Sequence, residues 1–210
     1  MIDLTFLLAA FTTLLVIIDP IALVPLFISL TQGMTPAQRR RTGLRACLVA
    51  AGILTLFGAV GEQLLTLIGI TLPAFRIAGG LLLFLTALDM LFERRTRRRE
   101  DKAHEAEAGH VDDPSVVPLA IPLLAGPGAI ASMILLVGQA GGGWQGFLVV
   151  EAVMLAVVLI AFLNFLIADR LGRALGRTGT MLVTRLLGML LAALAIQFII
   201  DGVKGSGLAG

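Results

Sequence analysis

Two short sequences could bind a charged ligand inside a membrane, and each lies within a long apolar run. Residues 19–22 spell Asp-Pro-Ile-Ala, and residues 126–129 spell Gly-Pro-Gly-Ala. Each places a helix-capping residue directly before a proline, which is favoured at the first position of a helix. A helix that begins within an apolar run of membrane length is a broken helix. We therefore predict two broken helices whose breaks face one another.

A helix that starts inside a membrane offers unpaired backbone N–H groups and the positive end of its dipole. Because water is absent there, an anionic group of a ligand is a suitable partner. The small residues after Pro127 let a carboxylate approach the backbone. Asp19 is expected to cap its own helix, to hold a proton or to bind an ammonium group. Together the breaks suit a small zwitterion such as an amino acid. The predicted substrate-binding residues are Asp19, Pro20, Ile21, Ala22, Gly126, Pro127, Gly128 and Ala129, with Ser29, Thr31 and Ser132 as lining hydroxyls.

The composition of the 210-residue chain is that of a membrane protein. Hydrophobic residues make up 58% of the sequence and charged residues 14%, and the mean hydropathy is +0.98. The apolar residues form long blocks, whereas the charges are concentrated in a few short segments. These features predict an all-α polytopic membrane protein. The basic residues lie in predicted loops at a membrane surface, so they give no support to nucleic-acid binding.

Six apolar segments approach the length of about 20 residues that a membrane span needs. Five of them are residues 4–30, 46–61, 116–137, 147–168 and 182–200. The remaining segment is third in the chain; it follows a break at residues 69–73 and ends at residue 92. Of the 16 lysines and arginines, 13 fall in residues 39–45, in the linker after residue 92 and in residues 170–177. Six spans place these three segments on one side, and short basic loops remain cytoplasmic. We therefore expect both termini on the non-cytoplasmic side.

Polar residues outside the two breaks give weaker signals. Residues 93–115 form a charged linker that is expected to be a solvated cytoplasmic loop. His104 and His110 lie among acidic residues there, but their irregular spacing makes a metal site a poor alternative. Cys47 is the only cysteine, which excludes an intrachain disulfide and a cysteine metal cluster. We predict no resident cofactor. Glu62, Glu151 and Asp89 lie near span ends and are predicted to be interfacial.

The two halves of the chain, residues 1–92 and 116–210, resemble each other in order. The Pro-x-Ala sequences that begin at Pro20 and Pro127 lie 107 positions apart. Each half holds three predicted spans, so the second half enters the membrane from the opposite side. Inverted repeats with broken or re-entrant helices are typical of secondary transporters, whose site lies near the bilayer midplane. Chance similarity between apolar helices is the alternative. The residues with predicted gating or structural roles are Arg76, Arg185, Pro25 and Pro122.

The residues around both breaks resemble the MarC family of integral inner-membrane proteins. The matching motifs are IDPIALVPLF at residues 18–27, followed by Ser29 and Thr31, and PLAIPLLAGPGAI at residues 118–130. The resemblance implies a multi-pass protein of the bacterial cytoplasmic membrane with two inverted three-helix repeats. Some relatives are described as transporters of small neutral amino acids such as glycine and alanine. Ala22 departs from the glycine that the family usually has there, and it narrows the space at the first break.

We therefore expect a secondary transporter of small neutral amino acids, coupled to H⁺ or Na⁺, whose partners are its substrate and the lipid bilayer. A membrane enzyme acting on a lipid or isoprenoid is disfavoured, because the spans contain no paired carboxylates and no metal-ligand motif. The remaining alternative is a non-transporting membrane protein with a regulatory or envelope role, associated with antibiotic resistance by family name. The two breaks would then only kink packed helices.

Overall fold

The computed structural model of the protein describes residues 3–92, 114–141 and 143–207, and these residues form eight helices and no strand. Most of the predicted linker, including His104 and His110, lies outside the described residues. Large apolar side chains cover the outer surface, and Leu67 and Leu48 are 83% and 63% exposed. Such a surface suits a lipid bilayer and would aggregate in water. The helices are α1 (Leu4–Ile18), α2 (Leu23–Leu30), α3 (Pro36–Leu67), α4 (Leu72–Leu91), α5 (Ser115–Leu124), α6 (Pro127–Gln139), α7 (Gly143–Leu166) and α8 (Ala168–Gly205).

Four of the described helices are long and apolar enough to cross a membrane. They are α3, α4, α7 and the part of α8 from Thr178 to Gly205. The helices α1 and α2 form a pair bent by 42°, and α5 and α6 form a pair bent by 54°. The described residues therefore form four to six candidate spans, and the predicted number of six corresponds to each bent pair forming one span.

The first break lies where α1 ends, but the next helix begins later than predicted. Asp19 follows α1 in the left-handed conformation (φ 52°), and its N–H donates to the Leu15 carbonyl at 2.9 Å. Pro20 has no N–H and begins a turn of three residues. Because α2 begins only at Leu23, the prediction that Asp19 caps a helix whose first residue is Pro20 is wrong. The prediction of a break at this position is confirmed.

The second break has the predicted form. α6 begins at Pro127, and Gly126 before it has the extended backbone conformation of a helix cap. The preceding helix α5 is irregular, because Val117 and Ile121 have extended backbone angles. Each of these two residues is joined to the proline that follows it by a cis peptide bond. The fourth predicted span is therefore a bent pair in which a new helix starts within the apolar run.

Two helices extend beyond the predicted spans into the basic segments. α3 begins at Pro36, where the Thr35 hydroxyl accepts from the Gln38 N–H and the Gln38 side chain accepts from the Thr35 N–H. This reciprocal pair is a capping box, which fixes the helix start. The arginines at residues 39–41 are therefore helical. α8 begins at Ala168 and is interrupted at Gly176, whose φ of 57° favours glycine.

The helices α4 and α8 lie side by side and run antiparallel. Gly202, late in α8, lies beside the start of α4, and a Cβ atom there would be 2.9 Å from the Pro73 carbonyl oxygen. Gly80, in the middle of α4, lies beside α8, and a Cβ atom there would be 2.8 Å from the Ala195 carbonyl oxygen. Since glycine has no side chain, it allows this close approach of two helix backbones.

The helices α3 and α7 are also antiparallel. Gly43, near the start of α3, contacts Phe165 near the end of α7, where a Cβ atom would be 3.4 Å from the ring. Gly58, late in α3, contacts Phe147 near the start of α7, where the corresponding distance is 3.5 Å. Each antiparallel pair thus joins one helix from the first half of the chain to one from the second half.

Candidate functional site between the helix breaks

The Asp19 carboxylate is fully buried and hydrogen-bonded at both oxygens. Its Oδ1 atom accepts from the Ala22 N–H at 3.3 Å, within the turn that leads to α2. Its Oδ2 atom accepts from the Thr184 hydroxyl of α8 at 3.4 Å, and Thr184 is itself buried. Both contacts are long, so each is weak. Asp19 therefore links the first break to α8 and retains capacity to accept a further hydrogen bond.

The second break presents the start of α6. The first hydrogen bond of this helix runs from the Ile130 N–H to the Gly126 carbonyl at 3.0 Å. The N–H groups of Gly128 and Ala129 precede it and have no acceptor within the helix. A Cβ atom on Gly126 would lie 2.7 Å from the Pro122 carbonyl oxygen, so this turn needs glycine. Two amides without an acceptor in the helix and the positive end of the helix dipole thus lie at one point.

The two breaks meet through Ile17 and Gly128. A Cβ atom on Gly128 would lie 2.9 Å from Cδ1 of Ile17, so the isoleucine side chain rests against the glycine. Ile17 is two residues before Asp19, at the end of α1. The expectation that the breaks face one another is in agreement with this contact, and Ile17 is the side chain placed between them.

Ser132 lies one turn beyond Gly128 on the same face of α6. Its side chain is fully buried, and its Oγ atom has no hydrogen-bond partner. The Cα–Cβ bond of a helical residue tilts toward the start of its helix, so the Ser132 side chain lies on the side of the turn that contains Gly128. A buried hydroxyl without a partner costs about 1–3 kcal/mol. A polar ligand group bound at the start of α6 would satisfy it.

The other predicted site residues are divided between the breaks and more distant positions. Thr31 lies at the end of α2 away from the break, and its hydroxyl donates to the Phe27 carbonyl at 2.6 Å. Ser29 lies near that same end of α2. These two hydroxyls therefore do not line the first break. The predicted residues that are buried beside the breaks are Pro20, Ala22 and Ala129, while Ile21 and Gly126 are half-buried and Pro127 is exposed.

The predicted gating or structural residues lie in different parts of the molecule. Pro25 is exposed on α2, and the Pro122 carbonyl lies close to Gly126. Arg76 lies in the first turns of α4 against Gly202 of α8, and its Nε atom is buried without a hydrogen-bond partner. Arg185 directly follows Thr184 on an exposed position of α8. A gating role for these residues stays a prediction.

Thr184 is a site residue that the sequence interpretation missed. It lies 165 positions from Asp19 in the chain, and only the packing of α8 brings the two together. One signal was available: Thr180 and Thr184 are one helical turn apart in an apolar run, so they share a face. Both are buried. A pair of hydroxyls on one face of an apolar span indicates a polar neighbour.

An ion pair joins the starts of α3 and α8 at one end of the molecule. Arg39 donates two hydrogen bonds to Asp169, at 2.8 and 3.1 Å. Its guanidinium also lies 5.6 Å from the centre of the Phe27 ring, which stacks on Phe165 at 4.4 Å. These four residues line a cavity of about 160 Å³. The contact places two of the three basic segments, residues 39–45 and 170–177, at the same end of the molecule, as six spans require.

We predict that this ion pair makes a small, pH-dependent contribution to stability. The hydrogen bond from Arg39 holds the pKa of Asp169 below its ordinary value of 3.8. The stabilisation is therefore present above that ordinary pKa and is lost as the pH falls through the lowered value. Since both side chains are partly exposed, Asp169→Asn should cost about 0.2–1 kcal/mol at neutral pH. Thermal unfolding in detergent micelles at neutral and acidic pH measures this difference.

The reversed pair, Arg39→Asp with Asp169→Arg, is the matched control and should recover most of the lost stability. A difference between Asp169→Asn and the original protein that stays constant down to strongly acidic pH would contradict the ion-pair explanation.

Comparison with known proteins adds a family assignment. Residues 4–206 match the MarC family of integral membrane proteins. The chain is 39% identical to a UPF0056 membrane protein of Aquifex aeolicus over 93% of this chain and 91% of that protein. It is 37% identical to the UPF0056 membrane protein YhcE of Escherichia coli, over 93% of this chain and 90% of that protein. It is 36% identical to the UPF0056 membrane protein MJ1677 of Methanocaldococcus jannaschii, over 97% of this chain and 98% of that protein. No solved structure matches the chain.

Proposed function

The chain belongs to the MarC family of integral membrane proteins, and we propose that it is a secondary transporter of small neutral amino acids such as glycine and alanine. The single observation that supports this proposal most is the meeting of the two breaks. Gly128, at the start of α6, rests against Ile17, which lies two residues from the buried Asp19 carboxylate. The start of α6 and an acidic side chain thus lie near one another within apolar helices.

This arrangement complements the two charges of a zwitterion. The substrate carboxylate would bind the Gly128 and Ala129 amides, where the helix dipole favours a negative charge. The substrate ammonium would bind Asp19, which accepts only weak hydrogen bonds from the protein. The Ser132 hydroxyl would gain a partner from the substrate carboxylate. Each polar group at the breaks would then be paired, which a site inside a membrane requires.

The side chains around the breaks favour a small substrate. Ala22 and Ala129 are buried, and the space beside Gly128 is occupied by the Ile17 side chain. Binding would require Ile17 to move away from Gly128. A substrate with a large side chain would displace more of the buried apolar core, which is costly because protein interiors are densely packed.

The proposal includes the inverted repeat and the orientation in the membrane. The repeats comprise residues 1–92 and 116–210, and the linker between them would be cytoplasmic with both termini on the other side. Two observations support this arrangement. α4 pairs with α8 and α3 pairs with α7, in each case antiparallel. In addition, the contact between Arg39 and Asp169 brings two basic segments to one end, as the retention of basic loops in the cytoplasm would require.

Counterflow in proteoliposomes tests the proposal. Vesicles preloaded with unlabelled glycine should take up labelled glycine and alanine, and labelled leucine and lysine should enter much more slowly. Vesicles without the protein provide the background. If uptake of every neutral amino acid in a panel equalled the uptake by vesicles without the protein, the transport proposal would be rejected. A non-transporting membrane role would then be favoured.

A further inference from the structure

We propose that Glu151, hydrogen-bonded by Thr55 between α7 and α3, is the site that binds the transported proton. The Thr55 hydroxyl donates to Oε1 of Glu151 at 2.6 Å, although the two residues lie 96 positions apart in the chain. The other carboxyl oxygen, Oε2, is buried and has no hydrogen-bond partner. The coupling role rests on the proposed transport function, whereas proton binding itself does not.

Glu151, which the sequence predicts to be interfacial, lies within α7 and faces α3. α7 begins at Gly143, so Glu151 is eight residues, or about 12 Å, into a helix of otherwise uncharged residues. Its side chain is only partly exposed, and the carboxyl group is directed against α3. An acidic side chain at such a position is costly in a membrane and is usually retained for function.

The surroundings of the carboxyl group favour a proton over a metal cation. Thr55 provides the one hydrogen bond described for this carboxyl group, and Oε2 is buried without a partner. A bound proton removes the negative charge of the carboxylate, and the protonated Oε2 needs only one acceptor. A hard metal cation needs about six oxygen ligands, whereas the described contacts supply only the carboxyl and the Thr55 hydroxyl.

The charged and titratable groups of α3 lie about two or more helical turns from Thr55, and three other helices that pack against α7 contain none. α1, α2 and α6, which pack against α7, contain none within their helical ranges. On α3, the groups nearest to Thr55 are Glu62, seven residues later, and Cys47 and Arg45, eight and ten residues earlier. These spacings correspond to about 10–15 Å along the helix. On α8, the groups are those of Asp169, Arg170, Arg173, Arg177, Arg185, Asp201 and Lys204.

Glu151 and Asp19 therefore have different roles in this proposal. Asp19 has protein hydrogen bonds at both oxygens and lies at a helix break beside the second break. Glu151 lies between two continuous helices and has one oxygen without a partner. The substrate ammonium would bind Asp19, and the proton would bind Glu151.

The first experiment measures accumulation of labelled glycine driven by a pH gradient across proteoliposomes. For one proton per substrate, a gradient of one pH unit supports about tenfold accumulation. Glu151→Gln should reduce the accumulation ratio to near one, and should reduce it far more than it reduces counterflow exchange. Glu62→Gln, on the exposed end of α3, is the control and should retain accumulation. Accumulation by Glu151→Gln equal to that of the original protein would overturn the proposal.

A second experiment does not depend on transport. Infrared difference spectra between acidic and neutral pH, recorded without substrate, should contain a protonated-carboxyl band that is absent in Glu151→Gln. The same band should shift in Thr55→Val, which removes the hydrogen bond to Oε1 and preserves the carboxyl. An unchanged band in both variants would overturn proton binding at Glu151. A band assigned to Glu151 in a protein that fails the amino-acid counterflow test would support proton binding while rejecting the amino-acid substrate.

Discussion

Replacing Asp19 by asparagine is expected to weaken binding of glycine and alanine by about 100-fold or more, because it removes the charge opposite the substrate ammonium. Asparagine retains a side-chain acceptor for the Ala22 N–H or the Thr184 hydroxyl, so the break should keep its structure. Binding is measured by the concentration dependence of counterflow, and thermal unfolding in detergent reports whether the fold is intact.

Asp3→Asn is the matched control for this substitution. Asp3 caps α1 by accepting from the Phe6 N–H at 2.8 Å, and asparagine is an equally good cap. It should leave transport unchanged. Thr184→Val provides an intermediate case, because it removes one weak hydrogen bond to Asp19 and should reduce affinity by about tenfold or less. Normal glycine affinity in a stable Asp19→Asn protein would exclude ammonium binding at this carboxylate.

Gly80→Ala is expected to destabilise the protein by about 1–3 kcal/mol, because the added methyl group enters the contact between α4 and α8. Its Cβ atom would lie 2.8 Å from the Ala195 carbonyl oxygen and 3.1 Å from the Ile199 backbone nitrogen. Backbone atoms cannot rotate out of the way as a side chain can, so the two helices would have to separate. The loss is measured by thermal or denaturant unfolding in detergent.

Gly52→Ala separates this effect from the general properties of alanine. Gly52 is helical in α3, and a Cβ atom there would meet no atom of a neighbouring helix within 4 Å. Alanine is the better helix former by about 1 kcal/mol, so this substitution should be neutral or stabilising. If the Gly80→Ala protein were as stable as the Gly52→Ala protein, the contact between α4 and α8 would accommodate a methyl group. Gly80 would then not be needed for that contact.

The sequence predicts the helix breaks well because their causes are local. Gly126-Pro127 is a helix start at the predicted position, since an extended glycine and a proline without an N–H act on their immediate neighbours. Asp19-Pro20 is compatible with two local structures, a helix start or the end of the preceding helix. The structure has the second, with Asp19 in the left-handed conformation that aspartate tolerates better than most residues. A break is therefore predictable there, but the first residue of α2 is not.

The side-chain pairs that build the sites depend on packing between distant helices. Asp19 with Thr184, Arg39 with Asp169, and Thr55 with Glu151 are separated by 165, 130 and 96 positions. Apolar patterning predicts that such helices exist but not which faces meet. The start of α3 was missed for another reason: hydropathy identifies the membrane segment, whereas the helix begins at a capping box in polar sequence.

The antiparallel helix pairs also determine the route of the chain through the second bent pair. α7 ends beside the start of α3, where Phe165 meets Gly43, and α8 leaves from this same end. Since α4 runs opposite to α8, α4 arrives at this end, and the chain leaves it at residue 92. Yet α7 starts at the far end, where Phe147 meets Gly58. Between these points the chain must travel from one face of the molecule to the other.

If α5 and α6 form one span, as a total of six spans requires, they make this passage as a unit. The junction at Gly126 would then lie part-way through the bilayer, whichever way the molecule is inserted. In that arrangement the route of the backbone itself would remove the amides of Gly128 and Ala129 from both aqueous phases.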